Sequence, residues 1–252
     1  MDNLPEIRSH YELNELGQPV NNPVSGWVPP PVPERRTLDG RFCRVEPLDP
    51  ATHAESLWVA NSQDREGRMW TYVRFGPFET FEGYRAWLEE RYSGPSSPYA
   101  IVDAVTGHAV GIVSYTHINP SAGSIEVGSV VYSPMLQGTS AATEAMYLMM
   151  QNAFSLGYRR YEWQCNTLNA TSRAAAQRLG FSFEGVFRQE NVIRGRNRDQ
   201  AWYSVIDQEW PALRAVFQQW LAPENFDLQG QQRTRLSDLT RPLLNDIVIP
   251  RS

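Results

Sequence analysis

Gln137, Gly138, Thr139, Ser140, Ala141, Ala142 and Thr143 open the stretch "MLQGTSAATEAMYLMMQNAFSLG", where small residues run straight into an apolar-periodic segment closed by a glycine. A loop of this kind at a helix N-terminus presents unpaired backbone N–H groups and the positive end of the helix dipole, which bind anions. Small side chains let a phosphate approach the main chain closely. A nucleotide-kinase loop would need a lysine after its last glycine, and none stands here. A dinucleotide fingerprint would need G-x-G-x-x-G after a strand, which is also missing. An ordinary strand-to-helix turn capped by Thr139 or Ser140 fits the same residues.

Other chemically capable residues are scattered. Glu144 falls in the first helical turn, where a carboxylate complements the dipole. His117 ends a strand, and His53 and His108 lie on a helix face and in a turn; no pair has metal-ligand spacing. Cys43 and Cys165 stand far apart and are expected to be buried thiols of a reducing compartment rather than a disulfide. Arg194, Arg196 and Arg198 in "IRGRNRD" form a local basic cluster that suits a solvated hairpin tip or an anion site.

The elements that must position these residues alternate strand and helix. "GRFCRVEPLD" is expected as a strand and "PATHAESLWVANSQ" as a helix with proline in its first turn. "TFEGYRAWLEERYSG" is a second helix, capped by Thr80 and followed by Gly94. "PYAIVDAVTGHAVGIVSYTHI" is a hairpin about "TGH", and "SIEVGSVVYSP" a buried central strand. The 135–157 helix, a strand "YRRYEWQCN", a short helix "NATSRAAAQRLG" and a long hairpin turning at "RGRN" complete the order β-α-α-β-β-β-α-β-α-β-β. This is an α/β mixed sheet with helices on both faces. Residues 1–36 form an extended segment with four prolines near its end, where Trp27 is expected to dock. Residues 37–212 form the domain, and 213–252 a helix and a surface-wrapping tail.

Bulk composition narrows the function classes. The chain has 252 residues, 41% hydrophobic and 12% aromatic, enough for a substantial core. A net charge of −5 argues against general nucleic-acid binding. No apolar run approaches the roughly 20 residues of a membrane span. The acidic, polar start "MDNLPEIRSH" is unlike a secretory signal, so a cytoplasmic location is expected.

"QGTSAA" resembles the pyrophosphate loop of the Gcn5-related N-acetyltransferases (GNAT), written (Gln/Arg)-x-x-Gly-x-(Gly/Ala). Gln137, Gly138 and Ala142 match, while Ser140 replaces the central glycine. "NATSRAAAQRLGF" resembles a second signature of that superfamily, and "EGVFRQ" with "GRNRDQAWYSVI" its branch acting on ribosomal-protein N-termini and related amines. The resemblance spans residues 37–210 and implies the GNAT fold, a central mixed sheet of about seven strands.

It further implies acetyl-CoA as cosubstrate, no metal, and an amine acceptor: a protein N-terminus, a peptide or a small molecule. Residues 137–143 would hold the pyrophosphate. Val130, Val131 and Tyr132 would pair with the pantetheine, beside a bulge placed at Gly128, with an N–H near Val131 polarising the thioester carbonyl. Asn169 and Ser172 would approach the pantetheine. Ala176 stands where many members carry a tyrosine acid, so Ser172 is the substitute donor to the thiol. Glu126 is the first candidate base and Glu190 the second, although some relatives carry the acid at the position of Asn191 here. Trp58, Trp70, Tyr72, Tyr84, Trp202 and Tyr203 either line the acceptor groove or form core. An exposed sheet edge or aromatic patch is the surface a homodimer would use. A catalytically silent acyl-CoA-binding module and a nucleotide-binding regulator are the competing readings.

Overall fold

The computed structural model describes residues 11–93 and 97–245. A short hairpin, β1 (Tyr11–Leu13) and β2 (Pro19–Asn21), precedes the main body. The sheet that follows takes in β3 (Leu38–Asp39), β4 (Cys43–Pro47), β5 (Ser97–Asp103), β6 (Ala109–Asn119), β7 (Ser124–Tyr132), β8 (Arg160–Asn166), β9 (Ser182–Ile193) and β10 (Arg196–Ile206). Their spatial order is β3-β4-β5-β6-β7-β8-β10-β9. All pairs are antiparallel except β7 with β8. The eighth strand beyond the expected seven is β3, two residues long and too short to show alternation.

Helices form where caps and apolar spacing direct them. Asp49 accepts from Ala51 N to start α1 (Pro50–Asn61), with proline at its first position. Thr80 Oγ1 accepts from Gly83 N (3.1 Å) at the start of α2 (Phe81–Ser93). The glycine expected at its end, Gly94, lies outside the described residues, as do 1–10 and 246–252. Thr139 caps α3 (Ser140–Ser155), and Asn169 caps α4 (Ala170–Arg178). α5 (Trp210–Leu221) and α6 (Leu236–Thr240) follow.

Strand alternation sends Tyr99 and Ile101 of β5 into one core and Ala100 and Val102 into another. The first core lies under α3 and α5. There Tyr147 meets Phe217 at 5.3 Å and Phe154 stacks on Trp210 at 5.0 Å between ring centroids. The second joins α1 and α2 through Leu57, Trp70, Tyr84 and Leu88. The proline-rich segment lies against the body: Arg159 covers the Trp27 ring, Tyr158 Oη donates to Pro31 O (3.1 Å), and Arg36 donates to Asn152 Oδ1 (2.9 Å). Among the described residues no helix is long and apolar enough to cross a membrane.

Candidate active site

β7 and β8 are parallel neighbours for three residues only, Ser124↔Arg160, Ile125↔Tyr161 and Glu126↔Glu162. Beyond Glu126, β7 stays paired with β6 and β8 with β10, so the facing edges of the two strands separate. The distortion centres one residue after the expected Gly128. Ser114 pairs with Gly128 and Ile112 with Val131, leaving an extra residue on β7, and Ser129 takes φ 50. The bulge re-phases the strand: Ile125 and Val127 face the α3 core, whereas Val131 enters the α1–α2 core. Gly128 is fixed by space instead, since a Cβ there would come within 2.5 Å of Thr116 Oγ1.

Glu126 lies at the mouth of this split, its side chain 7% exposed. Thr116 Oγ1 donates to its Oε2 (3.0 Å), and His117 Nδ1 hydrogen-bonds the same oxygen. Adjacent strand residues normally point to opposite faces. A second bulge permits the double contact: Thr116 pairs with Glu126 and Asn119 with Ser124, and His117 adopts φ 45 in the extra position. His117 is 71% exposed at its side chain, so Nδ1–H faces the carboxylate and Nε2 is left toward solvent. The hydrogen bond to Glu126 raises its pKa above the ordinary histidine value. Glu162 sits opposite Glu126 and is held by Arg160 Nε (2.6 Å), which also grips Glu184 with both terminal nitrogens. The β6–β7 register sets Thr116 against Glu126, and only the bulge, for which the sequence held no signal, brings His117 to the same carboxylate.

At the α3 N-terminus the loop amides divide into two sets. Gln137 N donates to Ser133 O, Thr139 N to Leu136 O, and Ala142 N to Thr139 Oγ1. Gly138, Ser140 and Ala141 have no acceptor for their amides among the described residues. Gly138 holds φ 76, a left-handed conformation natural to glycine. Gln137 Nε2 donates to Tyr132 O (2.8 Å), tying the loop to the end of β7. Arg178 reaches over from α4 to donate to Thr143 Oγ1 (3.1 Å), and burial lowers its pKa. This cation beside the helix start was not singled out from the sequence.

The remaining expected residues separate by location. Asn169 Oδ1 accepts from Ser172 N (3.1 Å), and Ser172 Oγ accepts from Trp163 Nε1 (3.1 Å). Trp163 and Cys165 belong to the α3-side core, so Ser172 backs β8 from the face opposite Glu162. Glu190 is exposed on β9, while its neighbour Asn191 accepts from Arg74 (3.1 Å). Glu144 is buried and does more than complement a dipole: it accepts from Arg41 N (2.8 Å), Phe42 N (2.6 Å) and Cys43 N (3.0 Å). His53 is buried, with Nδ1 accepting from Asp49 N and Nε2 facing Glu46. Trp70, Tyr84 and Tyr203 are core, and Trp58 packs against it, leaving Tyr72 and Trp202 half-buried beside the split.

The loop between α1 and α2 crosses above this face and is strapped to the β9–β10 hairpin. Arg198 Nη1 donates to Tyr72 O (2.8 Å), Arg194 donates to the carbonyls of Phe75 and Gly76, and Tyr72 Oη donates to Leu168 O (3.1 Å). The split parallel pair thus has a helix N-terminus with free amides at one end of it and a histidine–carboxylate pair at its mouth.

Similarity to known proteins identifies the family. Residues 44–182 match the acetyltransferase (GNAT) domain model. The chain is similar to a GCN5-related N-acetyltransferase from Brucella melitensis, with 43% identity and a TM-score of 0.84 over 86% of this chain and 100% of that one. It is also similar to a probable acetyltransferase of the GNAT family from Chromobacterium violaceum ATCC 12472, with 35% identity and a TM-score of 0.72 over 77% of this chain and 98% of that one. It shares its fold with the microcin C7 self-immunity acetyltransferase MccE, solved with acetyl-CoA and AMP, at 20% identity and a TM-score of 0.58 over 66% of this chain and 93% of that one. No curated protein sequence matches it. The chain belongs to the GNAT acetyltransferase family.

Proposed function

We propose that this enzyme moves an acetyl group from acetyl-CoA to a primary amine by direct attack within a ternary complex. The observation that carries the reading is the His117–Glu126 pair at the point where β7 leaves β8. Bound acetyl-CoA supplies the activated acyl carbon. The free amides of Gly138, Ser140 and Ala141 take the pyrophosphate, with Arg178 adding positive charge behind Thr143. The edge of β7 that has lost β8, at Val130 and Val131, pairs with the pantetheine amides; Tyr132 O is already taken by Gln137.

An amine is protonated at neutral pH and must lose that proton before it attacks. Neutral His117 accepts it at Nε2, and Glu126 stabilises the imidazolium through Nδ1. Ser172, its Oγ accepting from Trp163 and its hydroxyl lying against Cys165, turns its O–H toward the departing thiolate. Glu190, exposed on the hairpin, borders the acceptor side. The acceptor is a protein N-terminus, a peptide or a small-molecule amine in a cytoplasmic setting.

Release of free coenzyme A thiol with a panel of amines and short peptides tests the reading. Turnover with at least one amine, lowered about a hundredfold in His117→Ala, is the expected result. Tight coenzyme A binding with no release on any acceptor would make the chain a silent acyl-CoA-binding module.

A further inference from the structure

Arg198 lies on the β10 face shared by Gln200, Trp202 and Ser204, opposite the core face of Ala201, Tyr203 and Val205. Arg198 is half-buried, yet its hydrogen bonds go to neutral acceptors: Gln200 Oε1 (2.8 Å) and Tyr72 O (2.8 Å). Arg74 also bonds a neutral partner, Asn191 Oδ1, and Asn191 is the cross-strand neighbour of Arg198. Among the described residues neither guanidinium forms an ion pair. Burial lowers the pKa of Arg198, and the charge of Arg74 lowers it further. Glu190 and Glu126 act on Arg198 in the opposite sense, and Arg74 also acts on His117. Two adjacent cations beside the proposed base are therefore uncompensated by any bonded carboxylate.

A third unspent donor lies on the same strand face. Trp202 Nε1 is buried without a hydrogen-bond partner among the described residues, and its ring packs on Phe187 at 4.8 Å. Buried donors are rarely left unmade without a reason. The paired arginines present a planar fork suited to the oxygens of a carboxylate or phosphate. The structure assigns Arg74 and Arg198 as an acceptor-side oxyanion site, so the amine that this enzyme acetylates carries a carboxylate or phosphate. The inference rests on the acetyl-transfer reading for its location, and on the arginines alone for its chemistry.

The test uses matched acceptors: phenylalanine against phenethylamine for a carboxylate, and phosphoethanolamine against ethanolamine for a phosphate. The anionic member of at least one pair is expected to exceed its neutral partner by about tenfold or more in kcat/KM, mostly through KM. Arg74→Gln and Arg198→Gln should each shrink that preference, Arg74→Lys should restore part of it, and the KM for acetyl-CoA serves as control for an intact fold. Calorimetric titration of the same four amines onto the enzyme–coenzyme A complex separates this inference from the transfer reading. Selective binding of an anionic member without turnover would support the oxyanion site and sink only the transfer reading. Equal use or equal binding of both members of each pair, binding of none, or a preference that survives both glutamine variants would overturn the inference.

Discussion

His117 and Glu126 meet across the β6–β7 pair through a bulge that turns His117 out of strand alternation, beside the last residue at which β7 still pairs with β8. The buried carboxylate stands behind and the exposed imidazole in front, so in the proposed mechanism the imidazole is the group that meets the incoming amine. Replacing His117 by alanine should lower kcat about a hundredfold, the scale of a positioned general base, with the KM for acetyl-CoA unchanged. Steady-state kinetics checks this, and a wild-type kcat would remove His117 from the mechanism.

The pH dependence follows from the direction of the His117 shift. Glu126 holds the imidazole pKa above its ordinary value of about 6.5. The acid limb of kcat/KM should therefore titrate above that value in the wild type, because the base works when neutral. In Glu126→Gln the limb should move down toward about 6.5 while the plateau falls. For stability the raised pKa acts with the opposite pH sense. The protonated pair contributes fully below the unfolded value of about 6.5, and that contribution is lost as pH rises through the higher folded value. NMR titration of the His117 ring in both proteins measures the shift directly, and an unchanged pKa in the variant would contradict the assignment.

Much of the fold was legible because β8 alternates cleanly, β5 and β6 are apolar runs about a turn signal, and the helices carry their caps in sequence, as at Asp49, Thr80, Thr139 and Asn169. The β1–β2 hairpin and β3 were not, since strands of two or three residues show no period. The turn before α3 and its cap could be located, but not which of the turn's amides are used within it. The His117–Glu126 contact was hidden because the alternation rule places Thr116 and His117 on opposite faces, and only the bulge brings both to one oxygen. Arg74 and Arg178 reach their partners across tertiary contacts, for which a single sequence has no spacing rule.

Glu144 supports the loop between β3 and β4 rather than the chemistry. Glu144→Ala leaves three backbone N–H groups without their acceptor, two of them on residues packed in or against the core. A loss of about 3 kcal/mol or more is expected, at a cost of about 1 kcal/mol or more for each unsatisfied donor. Urea denaturation measures it, and a loss under about 1 kcal/mol would show that water replaces the carboxylate.

Ser172 bonds Trp163 on one side and is proposed to serve the thiolate on the other. Ser172→Ala should lower kcat about tenfold and leave the affinity for acetyl-CoA near wild type. If only the melting temperature falls and kcat holds, Ser172 is a buttress for Trp163.

Gly138 keeps its left-handed φ with open space beyond it, so a large side chain there can be tolerated by the fold and still cover the neighbouring amides. Gly138→Trp should retain the far-ultraviolet circular dichroism of the wild type at a local cost of about 1–2 kcal/mol. Its affinity for coenzyme A should fall more than about tenfold, as one lost charge-assisted contact requires. Unchanged affinity by calorimetry would count against this loop as the pyrophosphate site.

The most direct measurement is a crystal structure of the enzyme grown with saturating acetyl-CoA. The account predicts the diphosphate on the amides of Gly138, Ser140 and Ala141, the pantetheine against the free edge of β7, and the acetyl group beside His117. A diphosphate bound elsewhere, or β7 and β8 closed together with that edge filled, would contradict it.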